Sequence, residues 1–131
     1  MKEVKFRTPE QVYKKWLKAL RSGKYQQAQG CLREVEQDDW TDEVLAVKGF
    51  CCLGVLQDIA VKDGGPKWDD PSDFDGPKSN SGVPSDQILQ YLQLDDEAVE
   101  HLVYMNDEEG ASFAEIADEI EFVVMPTLDL K

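Results

Sequence analysis

One long apolar run divides the chain, and it extends from Val44 to Val61. Its first part is rich in β-branched and aromatic residues, which favours a strand. From Cys52 onward the apolar residues recur at spacings of three and four, which is typical of a buried helix. The neutral stretch between Lys48 and Asp58 is far shorter than the roughly 20 residues that a membrane-spanning helix needs. We therefore predict a strand that leads into a central helix, with the rest of the protein packed against it.

Two glycines interrupt this run. Gly49 lies where the sequence predicts a bend between the strand and the helix. Gly54 lies inside the helix, where glycine costs about 1 kcal/mol relative to alanine. Because the missing side chain leaves room at this position, we expect another backbone segment to approach Gly54 closely.

The first helix is predicted from its start signal, Thr8-Pro9-Glu10-Gln11. Thr8 can cap the helix, Pro9 suits the first helical position, and Gln11 can complete a capping box. Gly23 is typical of a helix end. Lysines on one face and apolar residues on the other predict an amphipathic helix whose apolar stripe joins the core.

The second half of the chain predicts three more helices. The first spans residues 83–94, and the second spans residues 95–106. The third begins at residue 112, where Ser112 and Glu115 match a capping box. The apolar residues 122–125 that follow are predicted to form a closing edge strand.

A small sheet is expected beside these helices. Residues 25–35 are predicted to pair with the strand before Cys52, and the polar loop 37–42 carries Trp40, which is expected to fold back onto the core. With 131 residues, the chain has the length of one domain with one core. We therefore predict a single α+β domain over residues 1–131, mostly helical with a small antiparallel sheet.

The longest irregular stretch is predicted at residues 63–82, where Gly, Pro, Ser and Asp dominate. A loop of this length in a compact domain is often functional. Trp68 and Phe74 are the hydrophobic residues expected to hold it against the core. Its cluster of carboxylates is acidic enough to attract a cation or a basic partner: Asp69, Asp70, Asp73 and Asp75.

Charge is distributed unevenly along the chain. Residues 1–35 contain nine Lys or Arg and three Asp or Glu, a net of +6. Residues 36–131 contain five and twenty-four, a net of −19, and the two parts sum to −13. Such a protein repels nucleic acid, whose binding requires clustered cations. The acidic part of the protein suits a basic protein partner, or it could mimic nucleic acid. Acidity can also serve solubility alone.

The cysteines indicate a reduced protein. The chain has three cysteines, Cys31, Cys51 and Cys52. An odd number, with two of them adjacent, does not favour disulfides. The charged residues 1–7 are not typical of a secretory signal. We therefore expect a cytoplasmic location without membrane attachment.

Patterns for metal binding and catalysis are weak. The acidic loop does not fit an EF-hand, because Pro71 and Gly82 would fall at positions that need carboxylates. One histidine and three cysteines without ligand spacing do not make a zinc site. Cys51 or Cys52 with His101 is the one possible nucleophile–base pair, but cysteines in an apolar run are usually core residues. We predict no metal, no cofactor and no catalytic residue. An enzymatic role is left open, and the sequence favours its absence.

Three stretches carry a family resemblance: WLKALRSGKYQQ at 16–27, FCCLGVL with Asp58 at 50–58, and Asn106-Asp107 followed by SFAEIAD at 106–121. They resemble a group of small proteins encoded by bacteriophages and prophages. The double-cysteine stretch is the most specific, although Gln57 stands where a further cysteine is expected. The resemblance implies a phage setting and a shared fold, and it transfers no catalytic residue.

Acidity, small size and this resemblance lead to one main hypothesis. The protein would be a non-enzymatic binding protein of phage type that inhibits or modulates a host macromolecule in anti-defence or takeover, with nucleic-acid mimicry as one mode. Its partner would be a host or phage protein with a basic surface. The predicted contacts lie in the acidic loop and the last helix: Asp69, Asp70, Asp73, Asp75, Glu115, Asp118 and Glu119.

The alternative is a small-ligand or nucleotide-binding protein, which could be a hydrolase. Its site would lie near the double-cysteine segment. The residues predicted for that site are Cys51, Asp58, Asn106 and Asp107.

Overall fold

The computed structural model describes residues 8–41, 43–72 and 76–127. These residues form five α-helices and two strands, in the order α1 (Pro9–Arg21), β1 (Arg33–Gln37), β2 (Val44–Phe50), α2 (Cys52–Lys62), α3 (Asp86–Tyr91), α4 (Asp96–Asp107) and α5 (Phe113–Glu119). A π-helical turn (Ile120–Val124) and a 3-10 turn (Met125–Thr127) follow α5. The strands pair antiparallel. The α+β fold class, mostly helical with a small antiparallel sheet, is confirmed.

Helix α1 begins and ends as its sequence predicts. The Gln11 amide donates to the Thr8 hydroxyl (3.2 Å), and the Thr8 amide donates to the Gln11 side chain (2.9 Å), which completes the capping box. Gly23 follows the helix end with a φ of +74°. The apolar stripe is buried as predicted: Val12, Tyr13, Trp16, Leu17 and Leu20.

Helix α2 is the centre of the core, as the apolar run predicts. Its residues from Cys52 to Ile59 are all buried. The Trp16 indole of α1 donates to the Cys52 carbonyl oxygen (2.9 Å), which fixes α1 against the start of α2. Gly54 admits the backbone of Leu32, as expected from its missing side chain.

The sheet has the predicted pairing with a shifted first strand. Strand β1 begins at Arg33 rather than near residue 25. Residues 26–28 instead bond to the end of β2, where the Phe50 amide donates to Gln26 (2.8 Å) and the Ala28 amide donates to Phe50 (2.7 Å). The predicted bend at Gly49 is wrong, because Gly49 lies within β2 and accommodates this neighbouring segment.

The predictions for Trp40 and for residues 122–125 are wrong, because tertiary packing determines the conformation of both. Trp40 does not fold back on the core, since it lies in the turn between β1 and β2 and is 95% exposed. Residues 122–125 form no strand. They continue α5 as helical turns, which keeps Ile120 and Val124 buried and leaves Phe122 and Val123 exposed.

The helices α3 and α4 follow α2 and the irregular segment. Helix α3 is shorter than predicted at both ends, because extended Ser85 is its N-cap and the chain turns after it at Gln93, which has a φ of +58°. Asp95 caps α4 through a bond from the Ala98 amide (2.8 Å). No helix in the described ranges is long and apolar enough to cross a bilayer.

The segment 63–82 is irregular in all its described residues, as predicted. Trp68 anchors it, since its indole donates to the Asp58 carboxylate (3.1 Å). Phe74, the second predicted anchor, lies outside the described residues.

Candidate functional site

The double-cysteine end of α2 is held by a buried amide rather than open to a ligand. The Asn106 side-chain oxygen accepts from Gln27 (3.0 Å) and from the Cys52 amide (3.2 Å). Its nitrogen donates to the Ala28 carbonyl and to Asp107 (both 2.8 Å). These four bonds use the full hydrogen-bonding capacity of an asparagine side chain. Asn106 therefore joins α4 to α2 and to the segment before β1.

Cys51 serves as the cap of α2. Its sulfur accepts from the Gly54 amide (3.3 Å), and burial raises the pKa of the Cys51 thiol to about 11. The cavity of about 30 Å³ that it shares with Asn106 and Asp107 has roughly the volume of one water molecule. His101 contacts Glu119 (2.6 Å) on the surface, and these contacts give no support to a Cys–His nucleophile.

Asp58 lies apart from the other three residues predicted for the alternative site. It stands six residues beyond Cys52, about 9 Å along the helix axis. Its buried carboxylate accepts from the Tyr25 hydroxyl (2.7 Å) and the Trp68 indole, and it pairs with Lys62 (3.0 Å). Burial, followed by the bond to Asp58, raises the pKa of Tyr25. The structure thus brings together Cys51, Asn106 and Asp107, but places Asp58 at a different site.

That site is an open cleft of about 680 Å³ between α1, β2 and α2. Tyr25 and Phe50 form an aromatic floor, with ring centroids 5.0 Å apart and planes at 82°. Trp68 packs against Phe50 from beside the cleft (6.5 Å). Positive side chains surround this floor: Lys15, Lys24, Arg33, Lys48 and Lys62.

The cations of the cleft are not equivalent. Lys15 pairs with Asp63 (2.8 Å), and the Arg33 guanidinium contacts Asp69 (3.3 Å). Lys24 and Lys48 are exposed and form no ion pair with any residue in the described part of the chain. Within the described ranges, two positive charges beside the aromatic floor therefore have no carboxylate partner.

The acidic loop contributes less surface than the sequence predicts. Asp69 bonds to the hydroxyl and the amide of Ser79 and to Arg33, so its carboxylate joins the loop to β1. Asp70 accepts from both the amide and the hydroxyl of Ser72 (2.9 and 2.7 Å). Asp73 and Asp75 lie outside the described residues.

The acidic residues of the last helix each have a partner within the protein. Glu115 completes the Ser112 capping box, and Asp118 accepts from the Arg21 guanidinium (2.8 Å). Glu119 contacts His101 and thereby joins α5 to α4. Glu115 and Asp118 are exposed and Glu119 is half-buried, so all three carboxylates can still interact with a positively charged partner.

An exposed face surrounds the His101–Glu119 contact, and we call it the α4–α5 face. It carries Glu97, Glu100 and Tyr104 from α4, which lie within one turn of His101, and Glu115 and Phe122 around Glu119. Tyr104 is 53% exposed and Phe122 is 70% exposed. Residues 79–130 contain no Lys or Arg. Arg21 of α1 reaches the edge of this face, where it bonds to Asp118 and Glu121, so the face is predominantly but not purely acidic.

Residues 9–80 match a protein family described as a domain of unknown function, DUF8296. The chain belongs to the DUF8296 family. The match contains every residue that lines the cleft, whereas the α4–α5 face lies beyond it. No curated protein and no solved structure matches the chain.

The sequence reasoning missed the cleft because it treated positive charge as a property of one helix. A signal was present in the excess of Lys and Arg within residues 1–35, which supply Lys15, Lys24 and Arg33. Lys48 and Lys62 join them only through folding. Among the described residues, no three His, Cys, Asp or Glu side chains are grouped so as to hold a metal ion.

Proposed function

We propose that the protein is a non-enzymatic binding protein whose α4–α5 face attaches to a basic surface of another protein. In keeping with the phage resemblance, the partner is a host or phage macromolecule, and binding inhibits it in anti-defence or takeover. The observation that carries this proposal is the pair of exposed aromatic side chains, Tyr104 and Phe122, set among carboxylates on helices that themselves contain no Lys or Arg.

The aromatic and the acidic side chains of this face would contribute to binding in different ways. Large aromatic residues contribute most of the binding energy at protein interfaces once they are buried in a partner's pocket. The surrounding carboxylates accelerate association with a basic surface and orient the complex. If the partner itself binds nucleic acid, the carboxylates occupy the positions of phosphates, which amounts to mimicry.

The test is capture of partners from a bacterial host lysate by the tagged full-length protein at low and high salt. A captured protein supports the proposal only if the α4–α5 face is required. We expect Tyr104→Ala with Phe122→Ala to abolish capture, and Glu97→Lys with Glu100→Lys to weaken it most at low salt.

Two control variants match these changes elsewhere on the surface. Trp40→Ala removes an even more exposed aromatic residue from the turn between β1 and β2. Glu36→Lys with Glu43→Lys makes the same change in charge on β1 and immediately before β2. Capture that survives the α4–α5 variants but fails with these controls would contradict the assignment of the face.

A further inference from the structure

We propose that the cleft between α1, β2 and α2 is a binding site for a mononucleotide, with the base on the Tyr25–Phe50 floor and the phosphate between Lys24 and Lys48. This inference is independent of the α4–α5 face. It rests on the charge, the aromatic floor and the size of the cleft.

The cleft is lined mainly by positive side chains, whereas the protein as a whole is negatively charged. The chain has a net charge of −13, yet five of the ten Lys and Arg residues in the described ranges line this cleft, where Asp58 is the single acidic lining residue. Concentrated positive charge in a concave surface raises the local concentration of anions. Because Lys15, Arg33 and Lys62 already have carboxylate partners, Lys24 and Lys48 are the two lining cations left without an ion pair to any described residue.

The floor is aromatic and held in place. Phe50 is flanked by the rings of Tyr25 and Trp68. The Tyr25 hydroxyl donates to Asp58 (2.7 Å), so the side chain cannot swing away from the cleft without breaking a bond to a buried carboxylate. Because the two rings stand at 82° to each other, a flat heterocycle can stack on the face of one ring and contact the edge of the other. Such stacking depends little on which base is present. A rigid floor also lowers the entropic cost of binding.

Size and overall charge favour a single nucleotide over a polymer. The volume of about 680 Å³ falls in the range of small-molecule sites. A nucleic-acid strand leaving the cleft would meet the acidic remainder of the protein, which repels phosphate. The site also lies wholly within residues 9–80, the part that matches DUF8296.

The test is titration calorimetry of the full-length protein with ribonucleoside mono- and triphosphates, their parent nucleosides and inorganic pyrophosphate, with and without Mg²⁺. We expect at least one nucleotide to bind more tightly than both its nucleoside and pyrophosphate. Pyrophosphate binding as tightly as any nucleotide would overturn the role of the floor. No binding of any nucleotide at millimolar concentration would overturn the site.

Two variants separate the parts of the site. Lys24→Gln with Lys48→Gln should weaken nucleotide binding by about tenfold or more, the loss expected for one charge-assisted hydrogen bond. The control, Lys14→Gln with Lys18→Gln, removes the same charge from α1 outside the cleft and should leave the affinity unchanged. An equal loss in the control would overturn the site in favour of nonspecific attraction.

The second variant, Phe50→Leu, should weaken nucleotide binding and leave any pyrophosphate binding unchanged. Its melting temperature without ligand is measured first. If Phe50→Leu does not fold, the comparison of nucleotide with nucleoside and pyrophosphate on the unmodified protein still decides the proposal.

Discussion

The Leu32 carbonyl oxygen lies 1.7 Å from the position that a Cβ atom on Gly54 would occupy. The same oxygen accepts a hydrogen bond from the Cys51 amide (3.1 Å) at the start of α2. The segment before β1 therefore crosses directly over the first turn of the central helix. Glycine at position 54 is what permits this crossing, because any side chain would overlap backbone atoms rather than a movable side chain.

We expect Gly54→Ala to destabilise the protein by about 3 kcal/mol or more, since a backbone cannot move aside as a side chain can. Gly82→Ala is the control, because a Cβ there would have no atom within 4 Å. Urea unfolding followed by circular dichroism measures both. Equal midpoints for the two variants would show that Leu32 can shift without cost.

Asp69 should stabilise the protein through its bonds rather than serve as a free surface charge. Burial alone would raise the pKa of Asp69, but bonds from Ser79 and Arg33 outweigh it and lower that pKa. A lowered pKa in the folded state stabilises the protein at pH values above the ordinary carboxyl pKa of about 4. That contribution is lost as the pH falls below this value.

Asp69→Asn should therefore cost about 2 kcal/mol at pH 7 and flatten the loss of stability at acid pH. Asp70→Asn is the matched control from the same loop, where the bonds to Ser72 are local and exposed. Unfolding midpoints between pH 2 and 7 provide the comparison. A larger effect from Asp70→Asn would contradict the role assigned to Asp69.

The buried thiol of Cys51 predicts a loss of stability at alkaline pH. Its pKa is raised by burial from 9.0 to about 11, so the folded state favours the neutral thiol. The stabilisation is complete below pH 9 and disappears as the pH rises to about 11. By linkage it amounts to about 2–3 kcal/mol. Cys52 and Tyr25 shift in the same direction.

Cys51→Ser should keep the helix cap, because serine is a preferred capping residue, and should flatten the stability profile between pH 9 and 11. Cys31→Ser removes a half-exposed thiol and should change the profile less. Urea midpoints across this range measure the slopes. If stability falls equally with pH in the unmodified protein and in Cys51→Ser, titration of Cys51 does not cause the loss.

Asn106→Ala should destabilise the protein by about 3 kcal/mol, because it leaves the Cys52 amide and the Ala28 carbonyl without their buried partner. The control is Asn80→Ala, which removes an exposed asparagine. Hydrogen exchange gives a local readout, since the Cys52 amide should lose protection in the Asn106 variant. Undiminished protection of that amide would mean that another acceptor replaces Asn106.

The features that the sequence predicted correctly depend on near neighbours. The capping boxes at Thr8 and Ser112 each join residues three apart. The strand-to-helix change at Cys52 follows from a local change in apolar spacing. Such signals survive folding because their partners are already adjacent in the chain.

The features that failed depend on distant contacts. Nothing local shows that Trp40 has no surface to fold onto, or that residues 122–125 extend a helix because Ile120 and Val124 reach the core. The acidic residues could be counted from the sequence, but the inward role of Asp69 requires Arg33, thirty-six positions earlier. Lys24 and Lys48 line the same cleft only because residues 26–28 bond to the end of β2.

The three tryptophans occupy three different levels of exposure. Trp16 is fully enclosed in the core, Trp68 is half-buried against Phe50, and Trp40 is almost entirely in water. A dissolved quencher such as acrylamide should therefore extinguish the emission of Trp40 first and spare that of Trp16 until the protein unfolds. Replacing two tryptophans at a time with phenylalanine would give three optically distinct proteins, which report separately on the hairpin turn, the wall of the cleft and the interior.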